Sequence, residues 1–220
     1  MSVTREIGKA IRSTLVLWLL TAIIYPFLMI VIGQLVFPVQ ANGSLITREG
    51  TFTTNPSEAI GSMLIGQPFS SDRYFWSRPS TSRYSTADPN NDEAGILNTG
   101  VSGASNLAPS NPALIDRIKG VPDPDPEKAI EGEIPRLQSA GIQPTADLVY
   151  TSGSSLDPHL TPEGARAQID RISRTRGIST QDLERLITQN TDDRFLGIFG
   201  EPGVNVLRLN LALDAFQPAS

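Results

Sequence analysis

Apolar and polar positions fall into distinct regimes along this chain. From Thr14 to Phe37 no residue is charged and most are large and apolar. The hydrocarbon core of a bilayer is crossed by roughly 20 such residues in a helix, whereas a helix on a soluble domain keeps one polar face. The pattern predicts a transmembrane helix over 14–37, a short N-terminus over 1–13, and a single domain over 38–220. Tyr25-Pro26 is expected to bend or loosen the helix, because proline lacks a backbone donor and clashes one turn back. Gly33 and Gln34 near its far end suit either the membrane interface or close packing against a further membrane helix. Val39-Gln40-Ala41 carries small residues of the kind a signal peptidase accepts. The apolar run, however, is about twice the 7–15 residues of a signal-peptide core, so a retained anchor is expected.

Beyond the run, the pattern breaks into short segments. Leu45 and Thr47 alternate with polar neighbours as in a brief strand, and residues 59–80 are dense in apolar and aromatic side chains punctuated by glycine and proline. That punctuation predicts packed loops and short strands, while 84–109, poor in large apolar residues, reads as a surface loop. Asn111-Pro112 should open a helix, with asparagine as cap and proline in its first turn. A weaker helical segment follows around 127–140, complicated by Pro135. Asp147–Ser152 reads as a short strand. Pro162 to Arg176 reads as one helix, and Ser179 should cap another with Leu183, Leu186 and Ile187 inward. Leu207, Leu209, Leu211 and Leu213 repeat with period two, which predicts a half-buried strand over Val204–Asp214. The mixed order of elements predicts an α+β fold.

Charge sets the sides of the membrane. Arg5, Lys9 and Arg12 precede the apolar run, while Arg48, offset by Glu49, follows it. The asymmetry places the N-terminus in the cytoplasm and the domain outside it. The net charge of -5 disfavours a nucleic-acid partner, which calls for a basic face. The chain has no cysteine, which excludes disulfides, thiolate metal sites and cysteine nucleophiles.

Templates for chemistry are sparse. There is no phosphate-binding Gly-x-x-x-x-Gly-Lys loop and no Gly-x-Ser-x-Gly elbow. Ser154, Asp157 and His159 offer the residue types of a hydrolytic triad, yet three residues so close in one loop are poorly spaced to put a base between nucleophile and orienter. One histidine without cysteines argues against a transition-metal site. The acidic stretch 88–93 begins like a calcium loop, but Glu93 stands where the turn glycine belongs, so a solvated loop is expected. Arg166, Arg171, Arg174 and Arg176 give one helix a basic face, which suits solvent and the helix dipole or an acidic partner surface.

Four separated motifs resist a generic explanation. They are Gly61-Ser62-Met63-Leu64-Ile65-Gly66-Gln67 with Tyr74-Phe75-Trp76-Ser77-Arg78-Pro79-Ser80; Ser102-Gly103-Ala104-Ser105-Asn106-Leu107 with Asn111-Pro112; Thr151 through His159; and Gly197 through Asp214. In this order behind one apolar span, the chain resembles the KdpC family of the Kdp high-affinity potassium-transporting ATPase over nearly its whole length. Departures are confined to the Ser152–Leu156 loop and the segment around 88–100. The resemblance implies a non-catalytic accessory subunit in a bacterial plasma (inner) membrane. It implies two partners, a potassium-channel-like subunit and a P-type ATPase subunit, with lipid around the anchor. ATP would be bound and hydrolysed on the ATPase subunit, with this chain assembling the complex and raising that subunit's affinity for ATP. Expected interface residues are Pro26, Gly33, Gln34, Gln67, Asp157 and His159. The competing reading is a stand-alone membrane-tethered hydrolase or ligand-binding domain.

Overall fold

A computed structural model describes residues 3–86, 100–125 and 128–216. The apolar run is helical up to Val36: α1 (Val3–Trp18) passes through a π-helical stretch, Leu19–Ile24, into α2 (Tyr25–Val36). Pro26 lies in the first turn after the π-helical stretch, so the loosening expected around it takes the form of widened turns rather than a break. None of these residues is buried against the rest of the chain, and this is the one helix among the described residues long and apolar enough to cross a membrane. Its end is tied down locally. Asn42 Nδ2 donates to Gln34 Oε1 at 2.9 Å, joining α2 to the short helix α3 (Pro38–Ala41).

The remainder is a mixed α/β region with two small antiparallel sheets. In the first, β1 (Leu45–Ile46) lies between β2 (Phe52–Thr53) and β3 (Gly61–Ser62). In the second, β6 (Gly203–Asn205) lies between β4 (His159–Leu160) and β5 (Thr191–Asp192). The helices are α4 (Pro112–Lys119), α5 (Glu133–Ser139), α6 (Ala146–Val149), α7 (Pro162–Arg166), α8 (Ile169–Arg176), α9 (Thr180–Gln189) and α10 (Val206–Ala215). Asn111 caps α4, its side chain accepting from the Ala113 N–H, and Ser179 caps α9 through the Asp182 N–H. Pro135 is harmless because it falls in the first turn of α5, where N–H groups have no intrahelical acceptor. The calcium-like stretch 88–93 lies outside the described residues.

Three expectations about secondary structure are corrected. Val204–Asp214 is a strand for only its first residues and then becomes α10. Val206, Leu207, Leu209, Asn210 and Leu213 are buried, which is helical spacing. Leucine is a strong helix former, and the Asn205 side chain caps the turn by accepting from the Arg208 N–H, so the period-two leucines were a partial view of a 3.6 pattern. Asp147–Ser152 is not a strand either: α6 forms because the buried Asp147 carboxylate turns to the start of α7. There it accepts from the Thr161 N–H at 2.7 Å and the Thr161 hydroxyl at 2.8 Å. A Cβ at Gly164 would lie 2.5 Å from Asp147 Oδ2, so this junction requires glycine. Finally, the helix expected from Pro162 to Arg176 is divided into α7 and α8 at Ala167-Gln168.

The division matters because Gln168 is completely buried. Phe75 and Trp76, also buried, run through the core in neither helix nor strand. Their backbone groups are paired by side-chain amides. Asn210 Oδ1 accepts from the Phe75 N–H at 2.9 Å, and Asn210 Nδ2 donates to the Phe75 carbonyl at 3.0 Å. Gln168 Oε1 accepts from the Trp76 N–H at 2.7 Å, and Gln168 Nε2 donates to the Trp76 carbonyl at 3.1 Å. Arg171, expected on a surface face, is buried. Its guanidinium donates to the carbonyls of Asp72 and Tyr74 and stands 4.3 Å from the Trp76 ring centroid. Burial pushes its pKa down to about 10, which leaves it charged at neutral pH. Arg176 also turns inward, donating to the Leu213 carbonyl and pairing with Asp214. The basic helix is therefore largely structural on this side.

Replacing Gln168 by leucine strands the Trp76 N–H and carbonyl. Each buried orphan costs about 1–3 kcal/mol, so Gln168→Leu should destabilise the protein by about 3 kcal/mol. Urea unfolding of the full chain in detergent measures this, with exposed Gln138→Leu as the control. A loss below about 1 kcal/mol would contradict the clamp.

Candidate docking site

The segment held by the amide clamp continues through Ser77 to Arg78, which reaches Asp157. Arg78 Nη1 is 3.0 Å from Asp157 Oδ2. The other carboxylate oxygen accepts the backbone N–H of His159 at 2.9 Å and lies 3.5 Å from His159 Nδ1. This local turn, in which an aspartate captures an N–H two residues on, starts β4. Burial pushes the Asp157 pKa up, but the hydrogen bonds from His159 and the Arg78 charge outweigh it, and the carboxyl titrates below its ordinary range.

Across the second sheet, His159 Nε2 stands 3.9 Å from Asp192 Oδ2. The two residues belong to β4 and β5, the strands on either side of β6. Gly203 occupies β6 between them, and a Cβ there would sit in ordinary contact with the His159 side chain, 3.4 Å away. Asp192 Oδ1 in turn pairs with Arg208 Nη2 at 2.8 Å, and that same nitrogen donates to the Asn190 carbonyl. The result is a chain of polar side chains, Arg78–Asp157–His159–Asp192–Arg208, running across the sheet. It borders a hollow of about 380 Å³ whose lining also includes Asp193 and Glu201.

Beyond the hollow, the chain from Asp193 to Gly200 makes a tight loop. The Phe195 N–H donates to the Phe199 carbonyl at 2.8 Å, and the Phe199 N–H donates back at 3.0 Å. Arg194 and Glu201 pair at 2.6 Å across its base. At its tip Phe195, Leu196, Ile198 and Phe199 are 72%, 74%, 71% and 61% exposed.

Of the residues expected at an interface, Asp157 and His159 come together here. Gln67 is elsewhere, with Nε2 donating to the Ile60 carbonyl beside β3; a Cβ at Gly61 would meet that nitrogen at 1.9 Å. Pro26, Gly33 and Gln34 lie on the apolar helix. Ser154 does not complete a triad: its hydroxyl accepts from the Leu156 N–H and faces Ser152. Among the described residues no cluster of three or more His, Asp or Glu side chains is arranged to hold a metal. Sequence reasoning missed Asp192, Arg208 and the exposed loop. The loop had a signal: four large apolar residues surround one glycine between Arg194 and Glu201, too short and too broken to be a core helix or strand.

These features define a class: a chain with one membrane-length apolar helix followed by a mixed α/β region that carries a charged, apolar-tipped surface. Comparison with known proteins makes it particular. A family model described as KdpC, the c chain of the K+-transporting ATPase, matches residues 7–215. The chain is 71% identical to the potassium-transporting ATPase KdpC subunit of Microcystis aeruginosa, covering 98% of both chains. It is 62% identical to KdpC subunit 1 of a Nostoc species, over 99% of this chain and 100% of that one. It is 55% identical to the KdpC subunit of a Synechocystis species, over 96% and 98% respectively. The chain belongs to the KdpC family. It is therefore an accessory subunit of a membrane-bound K+-transporting P-type ATPase.

The low Asp157 pKa has a signed consequence. A carboxyl whose folded pKa is depressed adds stability above its unfolded value of about 3.9 and loses it as pH falls through the folded value. The pair is only partly buried, so Asp157→Asn should cost about 1 kcal/mol at pH 7. The difference from the wild type should shrink as pH falls below about 4. Urea midpoints at both pH values measure it, and a gap that is unchanged in acid would contradict the assignment.

Proposed function

We propose that this chain is a non-catalytic subunit that assembles the potassium pump and raises the affinity of its ATPase subunit for ATP. Its partners are a potassium-channel-like subunit and the P-type ATPase subunit, which binds and hydrolyses ATP. The observation that carries the reading is the family match across residues 7–215, together with one apolar helix of membrane length.

Residues 1–13 lie in the cytoplasm, 14–37 cross the bacterial inner membrane, and 38–220 form the extracytoplasmic domain. The cations Arg5, Lys9 and Arg12 before the span support this orientation. The domain packs over the outer mouth of the channel-like subunit, with Asp157 and His159 in the docking surface. Pro26, Gly33 and Gln34 form the part of the anchor that meets partner helices, and Gln67 acts by shaping the first sheet. A domain outside the membrane does not touch cytoplasmic ATP, so its effect on ATP affinity is a coupling free energy transmitted through membrane helices.

Orientation is tested by Ser139→Cys, an exposed position in a chain that has no other cysteine. A membrane-impermeant thiol reagent should label it in intact cells; protection until the membrane is opened would contradict the topology. The coupling is tested by exchanging the span for an unrelated one and measuring complex recovery and the KM for ATP. Loss of assembly, or a several-fold rise in KM among complexes that do assemble, is expected. Full assembly with an unchanged KM would overturn the role assigned to the anchor.

A further inference from the structure

The passage from the apolar helix to the domain is closely tied. Pro38 disfavours helical geometry at the residue before it, and Phe37 leaves α2 with φ of -131° and ψ of 53°. The chain then reverses. Asn42 Nδ2 donates to Gln34 Oε1 at 2.9 Å and to the Pro38 carbonyl at 2.7 Å, and Gln34 Nε2 faces Asn42 Oδ1 at 3.5 Å. A Cβ added at Gly33 would stand 3.6 Å from Ala41 Cβ, whereas residues eight apart in a continuous helix are separated by about 12 Å. At the edge of a bilayer an unpaired amide is costly, and Gln34 and Asn42 each supply the other's partner.

Asn42, Gly43 and Ser44 alone separate α3 from β1, and each has its N–H paired. The Asn42 N–H donates to the Pro38 carbonyl at 3.2 Å, that of Gly43 to the Gln40 carbonyl at 3.1 Å, and that of Ser44 to the Val39 carbonyl at 2.8 Å. Gly43 and Ser44 have φ of 85° and 49°, a left-handed pair that turns the chain into the sheet. The domain grips this turn from its other side. Ser44 is buried, its carbonyl accepts from the Met63 N–H at 3.0 Å, and the Gly43 carbonyl accepts from the Ser62 hydroxyl at 2.7 Å. The Met63 carbonyl accepts in turn from Nδ2 of Asn205, the buried cap of α10, at 2.9 Å. Hydrogen bonds therefore lead step by step from Gln34 on the span to the first sheet and on to the second.

We infer that residues 33–44 are a rigid joint, which holds the domain at one angle to the apolar helix and carries a tilt or turn of that helix into the domain. This rests on the subunit assignment for its purpose and deepens it, because a coupling through membrane helices needs a stiff path to the domain. A flexible linker in the same place would absorb such motion. Among the described residues no part of the span is buried, so the motion passes through the joint.

The test begins with the full chain, which has no cysteine of its own, in lipid nanodiscs. Spin labels at Leu28→Cys on α2 and Ser139→Cys on the domain, both exposed positions, report the joint as a distribution of distances. Its width should match that of a pair within the domain, Ser139→Cys with Gln189→Cys. A Gly-Gly-Ser insertion between Asn42 and Gly43 should broaden it about twofold. Asn42→Ala, which cuts the amide tie without lengthening the chain, should also broaden it. A distribution without the insertion as broad as that with it would overturn the joint, and an Asn42→Ala distribution that stays narrow would overturn the part given to the amide pair. In the whole pump, the insertion should leave recovery with a tagged ATPase subunit unchanged and raise the KM for ATP several-fold. An unchanged KM would overturn the transmission of motion, as would loss of recovery, since added slack leaves the contact surfaces intact. If the wild-type chain is not recovered with the ATPase subunit, the subunit reading falls, while the distances measured on the chain alone still decide the joint.

Discussion

Two buried peptide units, those of Phe75 and Trp76, are the constraint around which the domain is organised. They run through the core without a neighbouring strand, and a buried N–H or carbonyl left unpaired costs about 1–3 kcal/mol. Gln168 and Asn210 take the place of neighbouring strands, each presenting one amide as a matched donor and acceptor. Arg171 completes the set by taking the carbonyls of Asp72 and Tyr74 and stacking on Trp76. Stretches far apart in sequence are thereby fixed to one another before any surface feature is considered.

The polar face across the second sheet leaves directly from this clamp. Arg78 lies two residues beyond Trp76, and Arg208 lies two before Asn210, so both ends of the polar chain across β4, β6 and β5 leave directly from clamped elements. Asp157, His159 and Asp192 fill the space between them. Partly exposed ion pairs of this kind contribute only modestly to stability. A rigid face on a single apolar helix suits a subunit that works by binding larger partners.

Much of this was legible in the sequence where local chemistry decides structure. The apolar run, the Asn111 and Ser179 caps, and the short segments of an α+β region all follow from spacing and capping. It was illegible where a distant partner decides. Asp147 starts a helix because Thr161 lies opposite, and Gln168 marks the junction of α7 and α8 with its amide on Trp76; neither partner is visible in a local window. The leucines from 207 to 213 satisfied period two, but Asn205 as cap and the buried Asn210 settled the helix. Arg171 read as a solvent-facing cation because nothing in its own helix reveals the carbonyls waiting at residues 72 and 74. At the site, Asp157 and His159 were singled out from their motif, whereas Asp192 and Arg208 join them only through strand pairing.

Hydrogen exchange at the Phe75 and Trp76 amides of the full-length protein tests the central claim most directly. Neither residue lies in a helix or a strand, so an ordinary loop in their place would exchange rapidly. The clamp requires both amides to exchange as slowly as those in the buried turn of α9 around Leu183 and Ile187, opening only with global unfolding. Exchange at the rate of exposed loops would contradict it.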